Sequence, residues 1–270
     1  QQEFERALVT HIAEARRTSD ELLWLLSYIY PVDEQMIAAL FDISENSAHE
    51  MFTRAQQYMF IKILPNGLIK LHDELERMVK RYVQPELDAD YARFKMYTEQ
   101  ACAYLTDKIK ALEIELLKKR SAKKFEQGDA QGEDRLQAEL DIQFNIQILD
   151  DTVWVMKEQQ LYYALLTHLD KGVELFVKLF AEADTIQLRR KFFKQLNAQE
   201  DLKPQYQLVK AIHQIKLWGY EKERYQDALK CCTTLFHEAK LSEEQIVDLL
   251  ILEGNLKIRL GDAEGGIQDF

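Results

Sequence analysis

Chain breakers are scarce in this protein: its 270 residues include nine glycines and four prolines. A β-sandwich or barrel needs a turn every dozen residues or so, so this spacing excludes those folds and predicts long helices. No uninterrupted apolar run approaches the ~18 residues of a membrane span, so no membrane segment is expected. Cysteine is sparse and odd in number: Cys102, Cys231 and Cys232. Cys231 and Cys232 are sequence neighbours, a poor geometry for an ordinary disulfide, and no Cys-x-x-Cys or His–Cys spacing supports a zinc site. Such usage points to buried or half-buried reduced thiols in a cytoplasmic protein. Cations are also outnumbered, 35 against 46 acidic residues, for a net charge of −11. That balance repels phosphate backbones at long range and argues against a general nucleic-acid binder.

Catalytic signatures are missing too. There is no Gly-x-x-x-x-Gly-Lys phosphate loop, no Gly-x-Gly-x-x-Gly and no Gly-x-Ser-x-Gly. The six histidines (His11, His49, His72, His168, His213 and His237) are scattered, and none stands in a His-Glu-x-x-His pattern. The pairs Asp150-Asp151 and Glu243-Glu244 diverge on a helix and read as solvated surface rather than acid/base machinery. The expectation is a chain that is not itself an enzyme, with no catalytic residue, no metal site and no cofactor of its own.

What is present is apolar material (47%) beside abundant charge (30%), enough for two or three modest domains or one extended helical array. Gln1-Gln2-Glu3-Phe4 reads as neither a signal peptide nor an initiating Met, so the chain is expected to be a piece of a longer protein. Residues 1–18 carry Phe4, Leu8, His11, Ile12 and Ala15 on one helical stripe and read as a linker helix. Thr18-Ser19-Asp20-Glu21 is a capping signature that opens a helix ending at Tyr30-Pro31. Helices over Asp33–Phe41 and from Ser44 (or Ser47) to about Tyr58 follow.

The period then changes. Phe60–Leu64 and Leu68–Leu71 are short β-prone runs around Pro65-Asn66-Gly67, where Gly67 can adopt the positive φ of a hairpin loop. A further helix runs from near His72 to before Pro85. Three helices, a small hairpin and a closing helix describe a winged-helix domain over 19–85. One long charged helix is expected from Glu86 to Phe125, a break at 127–132, and a second helix from Glu133 to roughly Val155, making 86–156 a helical hairpin that serves as spacer.

From 157 to 270 the chain is a series of shorter amphipathic segments. Joints are expected near Asp170–Gly172, Ala183–Thr185, Ala198–Pro204, Lys222–Arg224 and Lys240–Ser242. Gly254, Gly261, Gly266 and Phe270 stand at offsets of seven, twelve and sixteen. This is similar to the small-residue and aromatic register of a tetratricopeptide (TPR) repeat. Ala228 lies thirty-eight residues before Gly266 at the equivalent position, a longer interval than the usual period of about 34. The fold class expected is therefore mostly α: a winged helix with a small β-hairpin, a helical hairpin, and TPR-like α-solenoid repeats truncated at Phe270.

The winged helix carries ten acidic and six basic residues over 19–83, a net of −4. Its third helix offers Glu45 and Glu50 against Arg54 alone, too few cations for the phosphate contacts that supply most DNA affinity. The basic run Lys118–Lys124 suits the C-terminal end of a long helix, where cations complement the macrodipole, though an acidic partner is the other reading.

The order of elements across 19–83, ending in Leu71-His72-Asp73 between strand and helix, resembles the winged helix that follows the nucleotide-binding core of STAND-class, NB-ARC-like signalling NTPases. There the second wing strand ends in a hydrophobic-His-Asp triplet. The resemblance implies that His72 contacts the β-phosphate of ADP in the resting state of an intact parent, and that Asp73 holds the triplet's geometry. Helix capping is the competing role for the pair. It further implies ADP or ATP as cofactor of the parent only, an intramolecular NTPase domain as partner, and a protein or peptide ligand on the repeats. Two other functions remain open: a winged-helix transcription regulator with a helical ligand-sensing region, and a stand-alone TPR-like adaptor.

Overall fold

The computed structural model of the chain describes residues 22, 25–29, 31–65, 67–83, 90–125, 133–199 and 202–262. The expected linker helix (1–18), the hairpin tip residue Asn66, the start of the long helix at Glu86, the break at 127–132, and Gly266 with Phe270 lie outside the described residues. The protein is mostly helical with one small antiparallel sheet, and it divides into two compact units, Gln1–Thr167 and His168–Phe270.

The described part of the first unit opens on a helical turn in which the Leu26 and Ile29 amides donate to the Leu22 and Leu25 carbonyls, each at 2.9 Å. Helix α1 (Glu34–Phe41) starts where the Asp33 carboxylate accepts from the Met36 amide at 2.7 Å. It stops at Asp42, whose left-handed φ of 52° lets its N–H close on the Ala38 carbonyl. Of the two candidate caps for α2 (Glu45–Gln56), Ser44 takes the role, accepting from the Ser47 amide at 3.2 Å. The apolar stripe of α2, Ala48, Phe52 and Ala55, is buried.

Strands β1 (Ile61–Ile63) and β2 (Ile69–Leu71) pair antiparallel, with Ile61 opposite Leu71 and Ile63 opposite Ile69. Gly67, at φ 81°, carries the turn between them. A third backbone segment joins the sheet: Val32 and Ile69 exchange two N–H···O bonds of 3.0 Å. Helix α3 (Asp73–Met78) is shorter than the single helix expected after His72, because the chain widens into a π-helical turn over Val79–Val83.

Two long helices complete this unit, α4 (Ala92–Phe125) and α5 (Glu133–Thr167). They run antiparallel, tied by Arg120–Asp150 at 3.2 Å and Lys157–Glu113 at 2.8 Å. Helix α5 passes its expected end near Val155 by three turns: no breaker intervenes, and Leu161, Tyr163 and Leu165 are buried. Leu25, Ile37, Ile69 and Leu71 share one core with Tyr97, Ala101 and Leu105 of α4 and with Val153 and Tyr163 of α5. The Gln159 amide group also donates to the Pro31 carbonyl at 3.2 Å. The long hairpin thus supplies a wall of the small module's core.

The second unit is an array in which α6 (Leu169–Glu182), α7 (Ile186–Asn197), α8 (Pro204–Trp218), α9 (Tyr225–Glu238) and α10 (Glu243–Arg259) each pack on the next, and α8 also meets α10. The first joint falls at His168 rather than at Asp170–Gly172, and Gly172 is buried inside α6 instead of ending a helix. Thr185 caps α7, Pro204 takes the first turn of α8, and Ser242 with Gln245 forms a reciprocal capping box on α10. Ala228 and Gly254, singled out by the repeat register, are both buried. Ala228 lies in a cluster with Ile212, Ile215, Cys232, Leu249 and Leu256.

Candidate functional site

Among the described residues, two places bear on function. The first is the corner between β2 and α3. The His72 amide donates to the Phe60 carbonyl at 2.9 Å, which ties the corner back to the start of the hairpin. His72 is the residue before the helix, yet its ring makes no capping hydrogen bond and is exposed. Asp73 does not cap either: its carboxylate takes the Lys70 ammonium from the end of β2. That charge-assisted bond holds the Asp73 carboxyl below the usual carboxylate range. The corner is therefore braced by backbone and by Lys70–Asp73, leaving the imidazole outside its own fold's hydrogen bonding of the helix end.

The second is a groove of about 550 Å³ in the second unit, lined by α6, α8 and α10 with Arg189 from α7. Its floor is apolar, with Phe180, Ile212 and Leu256 buried there. His213 faces it from α8, donating from Nδ1 to the Val209 carbonyl at 2.8 Å and standing edge-on to Phe176 and Phe180. Burial pushes this imidazole down to about 4, so it is neutral at physiological pH.

Two guanidinium groups that line the groove bond to Gly219-Tyr220, one to the backbone and one to the side chain. Arg189 donates from Nε to the Ala183 carbonyl at 3.0 Å and from Nη1 to the Tyr220 hydroxyl, and lies over the Phe180 and Tyr220 rings. Arg259 donates to the Gly219 carbonyl and to the Tyr225 hydroxyl. The remaining charges of the groove are Glu244 and Asp248, with Lys216 bound to Asp248 at 2.8 Å.

Other features singled out by sequence have local partners. Asp150 pairs with Arg120, Asp151 accepts from Gln147 at 2.9 Å, and in the basic run Lys119 meets Glu115 at 2.9 Å. Cys232 is buried, its thiol pushed up to about 12, while Cys102 and Cys231 are half-buried. Among the described residues no three His, Cys, Asp or Glu side chains converge as a metal ion would need, and no helix is long and apolar enough to cross a membrane.

Sequence reasoning named His72 and Asp73 but missed Arg189, Tyr220 and Arg259. Arg189 and Arg259 come from separate helices and Tyr220 from the turn after α8, and no local spacing announces their contacts. Glu244, read as solvated surface, is exposed and also lines the groove. Compared with protein-family models, with curated proteins and with solved structures, the chain matches none.

Proposed function

We propose that the chain is the regulatory and sensing part of a STAND-type signal-transduction NTPase. In this reading residues 19–85 are a winged helix that autoinhibits the parent and reports its ADP. The helical hairpin that follows, ending at Thr167, is a spacer that also walls the small module's core, and 168–270 rather than 157–270 are TPR-like repeats that bind a protein or peptide. Catalysis belongs to a nucleotide-binding domain elsewhere in the parent, and this chain performs none.

The observation that carries the proposal is the exposed His72 imidazole at a braced strand-to-helix corner. An exposed ring beside a helix start can donate a hydrogen bond from its N–H to a phosphate held by a neighbouring domain. The pairing of Val32 with β2 supports the winged-helix element, since it sets a third extended segment between the opening helical turn and α1, beside the wing. The charge of α2 favours this reading over DNA recognition: Glu45 and Glu50 stand on it, and His49 is held 3.1 Å from Glu34. ADP would pin the module against the nucleotide domain, and a ligand on the repeats would shift the population to an open, ATP-bound form.

The test uses the protein as translated from its whole coding sequence. It is expected to retain ADP through purification, and His72→Ala is expected to lower the retained ADP severalfold. ADP content unchanged by that substitution, or a coding sequence without an NTPase domain, overturns the proposal.

A further inference from the structure

We infer that the groove of the second unit receives a peptide segment of a protein partner through one carboxylate, held between Arg189 and Arg259, with apolar side chains of the same segment on the groove floor. The inference rests on reading the second unit as a ligand-binding array, and not on the nucleotide role of His72.

Four arginines belong to the described part of this unit. Arg190 is paired with Glu221 at 2.6 Å and Arg224 with Asp227 at 3.2 Å. Arg189 and Arg259 have no carboxylate partner among the described residues; their bonds go to carbonyl and phenol oxygens. In a chain of net charge −11, two guanidinium groups without a carboxylate bonded to them line one concave site. Each retains N–H donors beyond those engaged, in the planar fork that matches a carboxylate. Their present partners fix them in place: both bond to the dipeptide Gly219-Tyr220, and Arg189 also lies against the Phe180 and Tyr220 rings. A ligand meeting them finds donors already oriented, so little side-chain entropy is lost on binding.

Charge arithmetic selects the anion. Arg189, Lys216 and Arg259 against Glu244 and Asp248 leave one positive charge, and His213 adds none because burial keeps it neutral. One monoanion balances this, whereas a phosphate dianion would leave the groove negative beside two carboxylates. The volume of about 550 Å³ falls within the range of sites for compact ligands and fits a few residues of peptide. The floor around Phe180, Ile212 and Leu256 asks for apolar side chains next to that carboxylate.

The test is selection of random heptapeptides on the full chain, using one library with free C-termini and one with amidated C-termini. Enriched sequences are expected to carry a carboxylate within about two positions of Leu, Ile, Phe or Val. Enrichment in the amidated library assigns it to Asp or Glu, and enrichment only in the free library assigns it to the chain terminus. Arg189→Gln and Arg259→Gln are each expected to weaken the selected peptides about tenfold, the scale of one charge-assisted pair. Because both arginines also brace Ala183 and Gly219, Asn255→Asp provides a second variant: this exposed groove residue would add a negative charge without removing a contact, and should weaken binding similarly. No enriched peptide, enrichment that ignores carboxylates, a requirement for phosphorylated residues, or affinity unmoved by Asn255→Asp would each overturn the inference. Failure here with His72-dependent ADP retention intact refutes the carboxylate site and leaves the nucleotide-sensing reading standing.

Discussion

The imidazole of His213 meets the ring of Phe180 edge-on, with centroids 4.7 Å apart and planes at 87°. The contact seals a titratable group into an apolar wall, and burial lowers its pKa to about 4. Lys216, which also lowers it, and Asp248, which raises it, are the nearby charges. An unfolded histidine takes up its proton near 6.5, before the folded one does. The stability this group contributes is complete above that value and is lost as pH falls from 6.5 toward 4, on the order of 3 kcal/mol in all. Urea denaturation at pH 7.5 and pH 4.5 should show this loss, and His213→Phe should lose less on acidification than the native chain. Equal losses in the two proteins would refute the assignment.

Ile69 is fully buried and pairs on both sides, with Ile63 across the hairpin and with Val32 beyond it. Ile69→Ala should destabilise the first unit by about 2–5 kcal/mol, the range for truncating a core aliphatic. A chemical-denaturation midpoint that moves by less than the equivalent of about 1 kcal/mol would place Ile69 outside a close-packed core.

Gly67 and Asp42 test left-handed backbone in opposite directions. Gly67 has φ 81° with open space where a Cβ would go, so Gly67→Ala should cost about 1–2 kcal/mol from backbone conformation alone. Asp42 ends α1 at φ 52°, so Asp42→Gly should stabilise by some tenths of a kcal/mol up to about 1. Thermal melting of both variants provides the check, with opposite signs expected.

Lys70 sets the ionisation of Asp73 by hydrogen bond and by charge. The folded carboxyl titrates below its unfolded value, so its contribution is present above the unfolded pKa and is lost as pH falls through the folded one. Carbon-detected NMR titration should find Asp73 titrating below the usual carboxylate range, and Lys70→Ala should return it toward that range. An unchanged midpoint would show that the Lys70 bond is not formed in solution.

Much of the helical order was legible in the chain because its signals are local. Asp33, Ser44, Thr185 and Ser242 announce helix starts through their own side chains. Gly67 marks a turn that few other residues tolerate, and the β-prone runs beside it became β1 and β2. Extents were less legible. Helix α5 outran its expected end because tertiary burial of Leu161, Tyr163 and Leu165 rewards continuation where no breaker forbids it. Gly172 looked like a joint, but a buried position inside a packed helix tolerates glycine. The exposure of His72 was unreadable for the same reason: capping and projection use the same two residues, and the choice depends on Lys70 claiming Asp73.

By itself the sequence determined a mostly helical protein with a small hairpin, because helix caps, apolar periods and the Gly67 turn act over three or four residues. Only the tertiary structure decided that the hairpin gains a third segment at Val32, that α4 and α5 wall the small core, and that Arg189 bonds Tyr220 while Arg259 bonds Gly219. Those outcomes depend on groups from tens of residues apart arriving at one place, and no local spacing encodes such a meeting.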